Sequence, residues 1–248
     1  MKLPIAVQLY SVRDETEKNF AGTLKKVAGI GYKGVEFAGF GNLPAKEMKK
    51  ILADLDLVPV GSHTGADLLT GRLDEVIEYN LELGNKYIVC PWYKLESKED
   101  ILKASELFNG IGEKIRAKGL EFLYHNHNHE FKKYDGEYGL DLLYKGIKNG
   151  NMEAEFDTGW IMYAGENPVE YIKKYSGRGP LIHIKDFAST KKPEYTEVGN
   201  GLLNVKAIAA ASEKAGSKWL IVEQDECKGS SIESIRISFE NLKRMGLA

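Results

Sequence analysis

The stretch Ile5-Ala6-Val7-Gln8-Leu9-Tyr10-Ser11-Val12-Arg13-Asp14 decides between two architectures. Ile5–Leu9 is a short apolar run preceded by Pro4 and followed by polar residues, which predicts a buried strand rather than a helix. The turn after it contains no glycine, whereas a doubly wound nucleotide-binding sheet would place a Gly-rich phosphate loop there. Seven further runs of the same kind follow: Gly34–Phe37, Val58–Gly61, Tyr87–Cys90, Glu121–Tyr124, Met152–Phe156, Leu181–Ile184 and Trp219–Val222. Between them apolar residues recur at helical spacing. Phe20, Leu24, Val27 and Ala28 do so before Gly29 and Gly31, Ile101, Ala104, Phe108, Ile111 and Ile115 before Gly119, and Ile232, Ile235, Phe239 and Leu242 before Gly246. Strands alternating with helices pair in parallel through right-handed crossovers. Eight such units in 248 residues predict an α/β fold, the (β/α)8 or TIM barrel, with residues 1–248 forming a single domain.

Composition narrows the function. Apolar residues make up 43% and charged residues 28%, a globular balance that excludes wholesale disorder. The net charge of −2, without a basic stripe, argues against a nucleic-acid partner. Cys90 and Cys227 have no CxxC spacing, so neither a disulfide framework nor a thiolate metal centre is expected. The opening MKLPIAVQLYSVRDE is broken by Pro4 and Gln8 and runs into charges, unlike a signal peptide or membrane span. The expectation is a cytoplasmic protein with no membrane partner; a homo-oligomer stays open.

The five histidines carry the most information. His63 follows strand three, His125, His127 and His129 follow strand five in Tyr124-His125-Asn126-His127-Asn128-His129-Glu130-Phe131, and His183 lies in strand seven. All fall toward the C-terminal ends of predicted strands, where a barrel builds its active site. Carboxylates share that face: Glu36 ends strand two, Asp157 strand six and Glu223 strand eight, while Glu130 closes the histidine-rich segment. Acidic groups crowded into one mouth repel, and a divalent cation held by imidazole and carboxylate is the simplest way to offset them. Such a donor set suits one Mn²⁺, with Co²⁺, Mg²⁺ and Zn²⁺ as alternatives.

The succession VQLYSVRD, GYKGVEFAGF, YHNHNHEF, EFDTGW, HIKD and IVEQDE resembles the xylose-isomerase-like TIM barrels, and among them the sugar phosphate isomerase/epimerase group. That resemblance implies a small-molecule sugar substrate and one metal held by a Glu from strand five, an Asp from strand six, a His from strand seven and a Glu from strand eight. Asp157, His183 and Glu223 match the last three positions. Strand five departs from the pattern, ending His-Asn-His with only the later Glu130 remaining, so either Glu130 or a histidine supplies that ligand. Glu130 is preferred here, which leaves His127 free for proton transfer on the sugar together with Glu223. An imidazole titrates near neutral pH and suits that work. The metal is expected to act as a Lewis acid toward a substrate carbonyl. Isomerisation or epimerisation is the first reading. Dehydration or lyase chemistry on a keto-sugar or inosose is the alternative, because a histidine breaks the matched carboxylate pair of an epimerase. More distant are a nuclease resembling the AP endonucleases of the superfamily and a barrel that binds sugar without turning it over.

Other residues of the expected mouth are candidate substrate contacts. Trp92 and Trp160 offer aromatic faces to sugar C–H surfaces, with packing of the barrel top as their structural alternative. Gln8 and Tyr10 near the end of strand one can donate to hydroxyls, Lys185 to a hydroxyl or enolate oxygen, and Glu36, His63, His125 and His129 complete the set. The loop from Glu197 to Asn204 contains Gly199 and Gly201. It reads either as a backbone phosphate nest or as a helix-opening turn capped by Asn204, which leaves phosphorylation of the substrate open.

Overall fold

A computed structural model describes residues 2–148 and 150–248. Eight parallel strands close into a barrel: β1 (Ile5–Gln8), β2 (Gly34–Ala38), β3 (Val58–His63), β4 (Tyr87–Cys90), β5 (Glu121–His125), β6 (Glu153–Asp157), β7 (Leu181–Ile184) and β8 (Trp219–Val222). The ring closes where Ala6 of β1 pairs with Ile221 of β8. A principal flanking helix follows each strand. In chain order these are α1 (Phe20–Ile30), α2 (Ala45–Asp54), α3 (Leu73–Leu83), α4 (Lys98–Ala117), α5 (Gly139–Gly146), α6 (Pro168–Lys174), α7 (Val205–Ala215) and α8 (Ser231–Arg244). The predicted periodicities mark their inward faces: Leu24, Val27, Ile101, Phe108, Ile115, Ile235 and Leu242 are all buried.

Two small antiparallel hairpins, which strand alternation does not foretell, rise from the C-terminal face. Lys133–Tyr134 pairs with Glu137–Tyr138 after β5, and Asp186–Ser189 pairs with Glu194–Thr196 after β7. Among the described residues no helix is long and apolar enough to cross a membrane.

Period-two alternation sorts the barrel interior into layers. Ala6, Val60, Tyr87, Val89, Leu123, Leu181 and Ile221 form an apolar plug in the lower lumen. Toward the C-terminal ends the inward positions turn polar: Gln8, Glu36, His125, Glu155, Asp157, His183 and Lys185 are buried there, and His63 is nearly so.

Candidate active site

Glu155 is the hub of the polar layer. Its Oε2 lies 2.7 Å from His63 Nε2, 2.9 Å from His125 Nδ1 and 3.3 Å from His183 Nε2. Beside it, Glu36 Oε2 accepts from His183 Nε2 at 2.6 Å and from Gln8 Nε2 at 2.8 Å. Gly61 makes that packing feasible, since a Cβ there would stand 2.5 Å from Glu36 Oε1. Burial and the neighbouring Glu155 raise Glu36 to about 7. Burial would raise Glu155 too, but His183 and His63 hold it well below the usual carboxylate range.

The two central imidazoles differ. His183 Nδ1 also donates to Glu223 Oε2 at 2.9 Å, so a carboxylate faces each ring nitrogen. Burial would lower its pKa, but Glu155, Glu36 and Glu223 hold it well above the ordinary value. Burial pushes His125 down to about 4, so it is neutral. We assign its proton to Nδ1, against Glu155, which leaves the Nε2 lone pair 3.7 Å from Asp157 Oδ2.

Asp157 is pinned from three sides. Its Oδ1 accepts the Trp160 N–H at 2.9 Å and caps the short helix Thr158–Tyr163. The Asn126 side-chain amide accepts the Asp157 N–H at 3.1 Å and donates to the Asp157 carbonyl at 3.3 Å. Asp157 Oδ2 is buried without an aligned hydrogen-bond donor, although Lys185 Nζ is 3.1 Å away. Burial raises Asp157 to about 6 against the pull of Lys185. An imidazole lone pair and a carboxylate oxygen therefore face each other with no proton between them, an arrangement that calls for a cation.

His125, Asp157, His183 and Glu223 each offer a ligand atom within 4.8 Å of the others, and His63, His125, Glu155 and His183 form an overlapping group below. The upper group takes one residue from the end region of each of four consecutive strands, β5 to β8. Two imidazoles with two carboxylates fit a divalent ion of the Mn²⁺, Co²⁺ or Zn²⁺ kind.

Glu130 is not in that group. Its Oε1 accepts the Tyr124 hydroxyl at 2.7 Å and its Oε2 accepts the His127 N–H at 2.9 Å. The chain leaves β5 at His125 and coils into the 3-10 turn His129–Phe131, which carries Glu130 behind the strand toward the outward-facing Tyr124. At strand five the residue that stands within the group is His125.

A cavity of about 600 Å³ opens above the group, lined by Tyr10, His63, Trp92, His125, His127, Lys185 and Glu223 among the expected residues. His127 Nδ1 is buried without a partner, and its ring packs 5.6 Å from Trp160. Burial, then His125 and Lys185, push His127 down to about 2, so it stays neutral but is a far weaker base than an ordinary imidazole. Burial would raise Glu223, but Lys185 and His183 hold it well below the usual range, which makes it a poor proton acceptor.

Gln8 and Glu36 lie beneath the cavity and serve His183 rather than its wall. His129 donates from Nε2 to the Tyr93 carbonyl at 3.2 Å, outside the lining. Trp92 is 54% exposed at the rim, whereas Trp160 is 7% exposed and packs against Phe187 and Tyr195 as a plug. The loop from Glu197 to Asn204 is no vacant nest. The Asp186 carboxylate accepts its Gly199, Gly201 and Leu203 N–H groups, each at 3.0 Å, and Asn204 caps α7.

Residues not singled out from the sequence also shape the site: Glu155, Asp225, Tyr195, Arg13 and Glu226. Glu155 was readable, because it lies two residues before Asp157 on the same strand face. Tyr195 arrives on a hairpin and had no comparable signal.

The chain belongs to the xylose isomerase-like TIM barrel family, whose profile matches residues 24–245. It is 26% identical over 254 residues to an inosose dehydratase of Clostridium botulinum (strain Alaska E43 / Type E3), covering 85% of this chain and 83% of that one. Its fold superposes with a TM-score of 0.83 on a sugar phosphate isomerase/epimerase from Parabacteroides distasonis ATCC 8503, at 25% identity and with 98% and 94% of the two chains covered. A D-allulose 3-epimerase from Methylomonas sp. shares the fold alone, with a TM-score of 0.73 and 12% identity over 98% of each chain.

Proposed function

We propose that the chain is a metal-dependent dehydratase of a small unphosphorylated polyhydroxy ketone. It removes the proton beside the carbonyl and expels a neighbouring hydroxyl as water. The observation that carries this reading is the pairing of unlike groups at the mouth. His127 is a neutral acceptor. His63 is the opposite: burial would lower its pKa, but Glu36 and Glu155 raise it, which makes it a donor. Two groups whose surroundings push their pKa values apart divide into acid and base. Elimination gives the two roles to unlike groups, one taking the carbon-bound proton and the other protonating the leaving hydroxyl, whereas epimerisation suits two groups of like kind on opposite faces, one removing the proton and the other returning one to the same carbon.

His125 Nε2, Asp157, His183 Nδ1 and Glu223 would hold the ion, with Glu155 and Glu36 orienting the two rings from below. When bound, a divalent ion supplies Lewis acidity to a carbonyl or hydroxyl oxygen. His127, a weak base, takes only a strongly acidified C–H proton, and His63 gives up its own proton to the hydroxyl, which leaves as water. Trp92 offers its exposed face to the carbon skeleton. Asp186 already occupies the loop N–H groups that would hold a phosphate, and Asp225 and Glu226 line the cavity, which supports an unphosphorylated substrate.

The inosose dehydratase relatives support this reading. Isomerisation or epimerisation at the same site is the second, favoured by the likeness to the Parabacteroides protein. Incubation of the metal-loaded protein with inososes and keto-sugars in deuterated water tests both. A product lighter by one water is expected. A product of unchanged composition carrying solvent deuterium would replace the first reading with the second, and no turnover across the panel would contradict both.

A further inference from the structure

We infer that the Lys185 ammonium is the resident counter-cation of the metal-free site, and that a divalent ion displaces it from Asp157 and Glu223 onto Asp225. The inference rests on the metal reading proposed above. Lys185 lies two residues beyond His183, points into the mouth and is 1% exposed. Its Nζ stands 3.1 Å from Asp157 Oδ2, 3.0 Å from Glu223 Oε2 and 2.8 Å from Asp225 Oδ1. The first two oxygens are those that face His125 and His183, so half of the metal group is already engaged by a cation. An ammonium and a divalent ion that claim the same two oxygens repel at short range with little water between them. One must yield.

The backbone around Lys185 is closely packed. A Cβ at Gly159 would lie 2.1 Å from the Lys185 carbonyl, so the main chain of that helix start is clamped against Lys185. The four-carbon stem is free to swing. The Trp160 ring, 5.3 Å from Nζ, gives it a cation-binding surface to slide across, and Asp225 at the cavity wall gives it a partner to keep. Asp157 Oδ2 has no aligned donor even with Nζ 3.1 Å away, the longest of the three contacts. In the metal-free protein the lysine neutralises carboxylates that would otherwise repel. In the loaded protein the same ammonium stands beside the substrate.

Calorimetric titration with Mn²⁺ and thermal unfolding with and without Mn²⁺, on wild type, Lys185→Gln, Lys185→Arg and Asp225→Asn, test the exchange. Lys185→Gln should bind Mn²⁺ about tenfold more tightly than wild type. Lys185→Arg, which keeps the charge, should bind no more tightly than wild type. Metal-free Lys185→Gln should melt below wild type, with the gap closing at saturating Mn²⁺, whereas a purely structural role would leave the gap open. Asp225→Asn keeps the Lys185 contacts with Asp157 and Glu223, removes the landing partner, and should bind Mn²⁺ severalfold more weakly. Equal or weaker binding by Lys185→Gln, a persistent melting gap, or unchanged binding by Asp225→Asn overturns the exchange while the metal reading stands. Failure of wild type and all variants to bind Mn²⁺, Co²⁺ or Zn²⁺ overturns both.

Discussion

The barrel opens at its two ends into cavities of nearly equal size, about 600 Å³ at the C-terminal mouth and about 650 Å³ at the N-terminal floor. Their charges are managed in opposite ways. At the floor each of two carboxylates has its own cation, Glu121 with Lys86 at 2.7 Å and Glu153 with Arg178 at 3.1 Å, all partly exposed. At the mouth Asp157, Glu223 and Asp225 share one ammonium, and Glu155 and Glu36 face a cluster of imidazoles, nearly all removed from water. The strand β6 spans both regimes, since Glu153, Glu155 and Asp157 share one face. Volume does not distinguish a site from a dent. Buried charge held in excess of its partners does, because such charge is costly unless a ligand or ion completes it.

The sharpest break in the comparison should come from the mouth. His127→Ala is expected to lower turnover about 10²–10⁴-fold with metal content unchanged. Near-native turnover would move the base elsewhere. Next comes the plug that separates the two ends: Leu123→Ala should cost about 2–5 kcal/mol in denaturant unfolding, the range for a buried leucine, while the folded variant still binds metal. If metal binding were lost with the plug, the polar layer would not be independently held. Glu155→Gln should weaken Mn²⁺ binding about 10–100-fold by releasing His125 from its orienting carboxylate. Unchanged affinity would remove Glu155 from any positioning role. The smallest effect belongs to the floor. Glu153→Gln, two residues earlier on the same face, should change stability by about 1 kcal/mol or less and leave Mn²⁺ affinity unaltered. A large loss there would erase the contrast between the ends.

Much of this was legible in the sequence, for physical reasons. Most barrel strands are apolar runs near their predicted places, because strands buried on both faces leave little choice of residue, and β6, with Glu153, Glu155 and Asp157, is the polar exception. Asp157, His183 and Glu223 converge as expected, since parallel strands bring their C-terminal ends to one rim. Strand parity does not reach Glu130, because the strand ends at His125 and a 3-10 turn sets that side chain's direction. It does reach Glu155. The hairpin after β5 had a signal in Asp135-Gly136, whose positive φ angles of 51° and 88° are those of a tight hairpin turn. The Asp186 plug in the glycine loop depends on how that loop folds back over the strand end, which spacing alone does not encode. Nor does a free imidazole's pKa foretell that burial carries His127 down to about 2.

We propose that the C-terminal end regions of β5 to β8 each give one ligand to a single divalent ion. Anomalous diffraction from crystals grown with Mn²⁺ tests it most directly. One strong peak is expected about 2.0–2.3 Å from His125 Nε2, Asp157, His183 Nδ1 and Glu223, with Lys185 Nζ turned toward Asp225. A peak coordinated by Glu130, a peak in the lower group among His63, Glu155 and His183 Nε2, or no peak at saturating Mn²⁺ would contradict it.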